Sequence, residues 1–129
     1  MTATPRELQM AVYAAAGDED WAKVESLMHP DFVLYEAECL PFGGEWRGKD
    51  ALKRCAVAMY STWAEAKVEI HDFTGGDSHA VTVLTLTMTS KRTGETFSQT
   101  VNECGHFENG LMRSLTIHYF DAAEVAAKA

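Results

Sequence analysis

The sequence has few of the residues that build covalent, metal or phosphate sites. Its three cysteines, Cys39, Cys55 and Cys104, show no CxxC spacing, so neither a disulfide framework nor a zinc site is indicated. None of the five histidines has a second ligand at metal-binding spacing. The GxGxxG, Walker and GxSxG motifs are missing, which removes the usual signatures of nucleotide binding and serine hydrolysis. We therefore expect no metal and no cofactor.

Long apolar runs and basic charge are also scarce. No segment approaches the roughly 20 apolar residues of a membrane span, and the start MTATPREL has no apolar signal segment. The net charge is −8 at pH 7, without a cluster of Lys or Arg. Because nucleic acid and anionic membranes bind basic surfaces, neither is an expected partner. The composition favours a soluble cytoplasmic protein, and 129 residues fit one domain, residues 1–129.

Apolar periodicity predicts three helices and five strands, in the order α-α-β-α-β-β-β-β. Leu8, Val12 and Ala15 recur at helical spacing before Gly17, and Asp18 is expected to cap a second helix that Pro30 ends. Asn109-Gly110 is a strong hairpin signal between the last two strands. The remaining predicted elements are a helix over 50–63 and strands over 32–36, 66–73, 79–90, 95–108 and 111–120.

This order predicts an α+β fold, in which a curved antiparallel sheet wraps around helices packed on one face. The alanine-rich tail, residues 121–129, is expected to be a short frayed helix.

An acidic residue, Glu36, stands at the end of the apolar strand that begins at Phe32. It shares strand parity with Phe32 and Leu34, so its side chain is expected on the inner face. The next residues form a glycine-rich turn at 41–44 and lead into the third helix. This arrangement is typical of a one-sided pocket with a carboxylate at its wall.

The second candidate carboxylate, Glu103, lies on the more apolar face of the strand before the hairpin. A two-residue turn would pair Glu103 with Thr116 and Phe107 with Met112, and His118 would then face inward as a proton carrier. The alternating set Leu111, Leu115, Ile117 and Tyr119 favours the opposite face of the last strand. A bulge in either strand would let both apolar sets face inward.

Several segments together resemble the SnoaL-like proteins of the nuclear transport factor two-like superfamily, which includes ketosteroid isomerase. These segments are HPDFVLYE, LPFGGEWRGKDAL, ECGHFENG and YFDAA, within nearly the whole chain. The resemblance implies a cone-shaped α+β fold with a hydrophobic pocket at its open end and dimers formed through the sheet. It matches Glu36 to the proton-shuttling aspartate and Glu103 to the protonated acid of the oxyanion hole. Met10 stands where the isomerase has a tyrosine, and Tyr13 lies about one turn further on.

The favoured hypothesis is an isomerase, cyclase or dehydratase that moves protons on a small hydrophobic ring or carbonyl compound. Glu36 is then the general base, Glu103 the acid or oxyanion donor, and His118 a further proton carrier. The predicted pocket lining is Tyr13, Met59, Trp63, Phe97, Val101 and Phe107.

Two alternatives stay open. The chain could be a non-catalytic ligand-binding module or a structural subunit, since one fold hosts many functions. Glu36 would then turn to solvent beside Glu38, and Glu103 would pair with Arg113 or Lys91. In each case the charge-poor outer face of the late strands favours a homodimer.

Overall fold

Four helices and six strands make up residues 2–129, the part of the chain that the computed structural model describes. The helices are α1 (Pro5–Gly17), α2 (Trp21–Ser26), α3 (Ala51–Thr62) and α4 (Ala122–Lys128), and the strands are β1 (Met28–Glu36), β2 (Gly44–Arg47), β3 (Glu65–Gly75), β4 (His79–Thr89), β5 (Thr96–Glu108) and β6 (Leu111–Tyr119). Among these residues, no helix is long and apolar enough to cross a membrane.

The six strands form one curved sheet with the order β2-β1-β6-β5-β4-β3. All neighbours are antiparallel except β1 and β6, which run parallel and join the two halves of the chain. The buried residues of β4 alternate with half-buried ones, from Ala80 to Met88. Buried residues therefore line one face of this strand. The predicted α+β fold with a curved sheet is confirmed.

The first two helices are predicted correctly in number but not in their boundary. α1 begins with a capping box, in which Thr4 accepts a hydrogen bond from the Glu7 amide and the Glu7 carboxylate accepts one from Thr4. Asp18 ends α1, and Asp20 instead caps α2 through the amide of Lys23. α2 stops at Ser26, because Met28 is already the fully buried first residue of β1.

The turn after β1 folds back into a short strand, β2, that the sequence pattern did not predict. β2 pairs antiparallel with β1, so that Glu36 lies opposite Gly44 at the end of the ladder. Gly43 lies within this turn, where a Cβ would overlap the backbone oxygens of Ala37, Leu40 and Glu38. The turn therefore holds the backbone next to Glu36 in one compact conformation.

The last hairpin has the predicted turn, and of the two registers that the sequence left open it has the bulged one. Asn109 and Gly110 both have positive φ, 53° and 75°, as a type I′ turn requires. Phe107 pairs with Met112 as expected, but an extra residue, Arg113, then shifts the ladder. Glu103 consequently lies opposite Ile117, where Thr116 was expected. Because of this bulge, the apolar residues of β5 and those of β6 face the same side of the sheet.

The tail differs from the frayed end that the sequence suggested. Asp121 caps α4 through the amide of Glu124, and Val125 is fully buried. The buried side chain of Gln99 also binds this segment, since its amide nitrogen donates to the Asp121 carbonyl at 2.8 Å. α4 is therefore packed on the end of the sheet.

Candidate active site

A cavity of about 120 Å³ lies between α1, α3 and the inner face of the sheet. Its walls are almost entirely apolar, and among residues 2–129 the only acidic or basic side chains that contribute to them are Glu36 and Glu103. An outer cleft of about 900 Å³ adjoins this cavity and shares Tyr13, Met59 and Glu103 with it. The described part of the chain therefore offers a small inner chamber with a wider entrance.

Glu103 is held in the cavity by a tyrosine of α1. The inner-face parity of β5 points the carboxyl group towards α1, where the Tyr13 hydroxyl donates a hydrogen bond to Glu103 Oε1. Burial raises the pKa of Glu103 from 4.5 to about 6, and the hydrogen bond from Tyr13 acts in the opposite direction. Burial and the charge of Glu103 raise the pKa of Tyr13 well above 10. Tyr13 is therefore a neutral donor and Glu103 the acceptor.

Glu36 has weaker hydrogen-bond partners on the other side of the cavity. The Tyr119 hydroxyl lies 3.4 Å from Glu36 Oε2 and the Cys55 thiol lies 3.9 Å from the same oxygen. The second oxygen, Glu36 Oε1, is buried without a hydrogen-bond partner among residues 2–129. Burial first, and the charge of Glu103 second, raise the pKa of Glu36 from 4.5 to about 8.

The two carboxyl groups therefore share one proton at neutral pH. Glu103 is the ionised member because Tyr13 donates to it, and Glu36 keeps the proton because it is buried and the charge of Glu103 raises its pKa further. Burial likewise raises the pKa of the Cys55 thiol and of the Tyr119 hydroxyl, so both remain protonated. The cavity thus offers one carboxylate base and one carboxylic acid in an apolar setting.

The alternative partners considered for the two acids bind elsewhere. Arg113 donates to the Asp31 carbonyl and lies 3.8 Å from Glu108, while Lys91 donates to the Ser61 carbonyl. Glu38 is exposed, whereas Glu36 is not. The structure therefore places neither Glu36 nor Glu103 in a surface ion pair.

Three of the six predicted lining residues border the cavity, namely Tyr13, Met59 and Val101. Trp63 and Phe97 instead pack edge to face, with ring centroids 5.6 Å apart, and both are buried. Phe107 is also a buried core residue and does not line the cavity. The prediction fails for these three aromatics because inner-face parity does not distinguish a filled region of the core from an open one.

His118 does not reach the cavity. It is exposed and pairs with Asn102, on the outer face of the sheet. The bulge at Arg113 explains the difference, because it brings Ile117 and Tyr119 to the inner face in place of His118. The predicted proton carrier of the last strand is therefore replaced in the cavity by Tyr119.

Two polar cavity residues, Tyr119 and Cys55, were not among the predicted site residues, although the sequence carried a signal for each. Tyr119 belongs to the alternating set that begins at Leu111, so a bulged hairpin would have placed it inside. Cys55 belongs to the apolar stripe of α3, and it is buried beside Glu36. Gln9, one helical turn before Tyr13, is also fully buried, but it does not line the cavity.

Comparison with known proteins identifies the family. A family model described as the SnoaL-like domain matches residues 10–115, whereas no curated protein sequence matches the chain significantly. A nuclear transport factor two-like protein of Burkholderia thailandensis has a TM-score of 0.85, with 20% identity over 98% of both chains.

Two further solved structures have the same fold. TerC, co-crystallised with polyporic acid, has a TM-score of 0.79 at 21% identity and covers 97% of this chain and 98% of its own. Bal32a, from a soil-derived mobile gene cassette, has a TM-score of 0.80 at 15% identity, over 95% and 93% of the two chains. At such low identity these likenesses show the fold alone, and the match over residues 10–115 places this chain in the SnoaL-like domain family.

Proposed function

We propose that the protein is a cofactor-independent enzyme that moves a proton on a small, uncharged ring or carbonyl compound. One observation carries this proposal: two carboxyl groups of different proton affinity share one apolar cavity. A base with a pKa near 6 and an acid with a pKa near 8 are the pair that proton abstraction and return need at neutral pH. The family and its fold support a small-molecule ligand.

In this proposal Glu103 is the general base. Its Oε1 accepts from Tyr13, which leaves Oε2 to take a proton from a carbon next to a carbonyl group. Glu36 is the acid, and its unpartnered Oε1 gives it a position from which to donate to the developing oxyanion. These roles are the reverse of those that the sequence suggested, because the stronger hydrogen-bond donor lies beside Glu103.

The size and charge of the cavity support an uncharged ring as the ligand. An apolar protein cavity of about 150 Å³ can bind benzene, so the inner chamber has room for about one ring. The acidic or basic residues that line the chamber and the cleft are Glu36, Glu103 and Glu19, all of them acids. An anionic group would therefore lack a counter-ion here. TerC, which has a similar fold, was co-crystallised with polyporic acid, and this supports a small organic molecule as the ligand.

Hydrogen exchange on the substrate tests the proposal. Cyclic enones and ketones are incubated with the protein in D₂O, and deuterium uptake next to the carbonyl is followed by NMR. We expect the exchange rate to be at least about 100-fold lower in Glu103→Gln and in Glu36→Gln than in the wild type. Both variants should still bind the ligand. Glu108→Gln and Glu38→Gln, at exposed positions on or beside the same strands, serve as matched controls.

The test separates the enzyme from a ligand carrier. A compound that binds the wild type and exchanges no faster than in buffer would indicate a binding module of the same family. Exchange that survives both cavity substitutions would show that Glu103 and Glu36 are not the acid and base.

We further propose that the protein forms a homodimer through the outer face of the sheet. This face carries Thr100, Asn102 and His118, and Phe120 beside it is 86% exposed. A face with few charges and a large exposed aromatic residue is typical of a contact surface.

A further inference from the structure

Four large apolar side chains are exposed in the outer cleft. They are Val57 and Tyr60 of α3 and Val68 and Ile70 of β3, with exposed fractions of 58%, 49%, 42% and 42%. Only three other large hydrophobic side chains among residues 2–129 are exposed, so the cleft holds more than half of this group. Exposed apolar surface that is gathered in one concave place marks a binding surface.

Two different elements present these side chains to the cleft. Val57 and Tyr60 are three residues apart and lie on one face of α3. Val68 and Ile70 are two residues apart and point to one face of β3. β3 is the last strand in the sheet order, so no further strand extends the wall beyond it. The cleft is therefore an open groove with apolar side chains from a helix and from an edge strand.

The cleft joins the inner chamber at Glu103. Tyr13, Met59 and Glu103 line both spaces, whereas Glu36 lines the chamber alone. A carbonyl oxygen that accepts a proton from Glu36 therefore lies at the inner end, and the opposite side of its ring faces the cleft. The chamber, at about 120 Å³, has room for about one ring, and the cleft measures about 900 Å³. Any further part of a ligand has to extend into the cleft.

We propose that the substrate is a cyclic ketone or enone with an apolar substituent opposite its carbonyl group, and that this substituent binds in the outer cleft. The four exposed apolar side chains then select the substrate by the length of the substituent, because contact removes apolar surface from water. A permanently bound protein is a poor alternative occupant, since it would block the entrance to the two carboxyl groups. This inference rests on the proposed function for the direction of the carbonyl group, whereas binding alone measures the occupation of the cleft.

The two isoleucines of the chain are matched reporters for the two spaces. Ile117 lines the chamber and Ile70 lines the cleft. In protein labelled at the isoleucine δ1 methyl groups, we expect cyclohexanone to shift the NMR signal of Ile117 alone. We expect 4-butylcyclohexanone to shift both signals and to give nuclear Overhauser contacts between the end of its butyl group and Ile70.

The dissociation constants measure how much the cleft contributes. Each buried CH₂ raises affinity about fourfold, so a butyl group that is half buried should bind at least about tenfold tighter than the bare ring. The isomer 2-butylcyclohexanone should lack this gain, because its substituent lies beside the carbonyl and has to fit within the chamber.

Variants of the cleft wall test which side chains bind the substituent. Ile70→Asn and Val57→Asn, at exposed positions, should each reduce the ratio of the two dissociation constants at least about threefold. Met10→Asn is the matched control, since Met10 is an exposed apolar residue that lines neither space, and it should keep the wild-type ratio.

Three results would overturn the inference. The first is equal affinity for cyclohexanone and 4-butylcyclohexanone, or an Ile70 signal that the butyl compound does not shift. The second is equally tight binding of the 2-butyl isomer. The third is an Ile70 signal that changes with protein concentration in the absence of ligand, which would show that a second copy of the chain covers the cleft.

These measurements need no turnover, so they are independent of the deuterium-exchange assay. Affinity that increases with the butyl group in a protein without exchange activity would contradict the proposed function and leave the cleft as the substituent site. Exchange on cyclohexanone without any gain from the butyl group would support the proposed function and refute this inference.

Discussion

Replacing Glu36 by glutamine should stabilise the protein at alkaline pH, and the size of the effect follows from its burial. Below pH 4.5 the carboxyl group is protonated in the folded and the unfolded chain, so it causes no pH dependence there. Between 4.5 and about 8 the folded protein holds a proton that the unfolded chain has lost. Wild-type stability therefore falls as the pH rises through this window, and the loss is complete above it.

The pKa of Glu36 is 4.5 in the unfolded chain and about 8 in the folded protein. At about 1.4 kcal/mol per pH unit, this difference lowers the free energy of unfolding by at most about 5 kcal/mol. Glutamine cannot ionise, so Glu36→Gln escapes this loss. Between pH 4 and pH 9, the free energy of unfolding of the variant should therefore rise by up to about 5 kcal/mol relative to that of the wild type. For a chain of this length that is a rise in Tm of roughly 10 °C or more.

Urea unfolding followed by circular dichroism at pH 4, 7 and 9 measures this difference. Glu38→Gln, an exposed neighbour of the same charge, is the control and should follow the wild type at each pH. If Glu36→Gln also follows the wild type, the Glu36 carboxyl is hydrated, and the argument for a shared proton fails with it. If Glu36→Gln loses exchange activity and gains stability, the buried carboxyl group serves catalysis at the expense of stability.

Three further predictions concern the Glu36–Glu103 carboxyl pair and the proposed dimer surface. The pH profile of kcat/KM for a substrate found by exchange should be bell-shaped, with limbs near 6 and 8; a single limb would contradict the paired carboxyl groups. Tyr119→Phe removes a hydrogen bond that lowers the pKa of Glu36, so NMR titration should find that pKa raised above its wild-type value. Phe120→Asp should weaken the proposed dimer at least tenfold in sedimentation equilibrium, and a wild-type monomer at micromolar concentration would refute the dimer itself.

Local chemistry made much of the fold predictable. The capped α1, the Asn109-Gly110 turn and the alternation of β4 each depend on neighbours a few residues away. Strand parity likewise placed Glu36 and Glu103 on the inner face. Strand parity left the register of the last hairpin open, because it allowed both a regular ladder and a bulged one. The extra residue at Arg113 decided between them and exchanged His118 for Tyr119.

The proton affinities of the two acids were beyond the sequence, because they depend on contacts between segments that are distant along the chain. Parity shows that Glu36 and Glu103 face inward, but it does not show which one meets a strong donor. That donor, Tyr13, approaches from α1, some 90 residues away from Glu103 along the chain. The reversal of the predicted base and acid is thus a tertiary effect.

The parallel pairing of β1 with β6 has a consequence for how the protein is made. Val33 pairs with Ser114, about 80 residues later, and Tyr119 of the same late strand completes the surroundings of Glu36. During synthesis on the ribosome, one edge of β1 therefore stays unpaired until almost all of the chain has emerged. Closing so long a loop is slow, so the free edge of β1 is exposed to pairing with other strands during that interval.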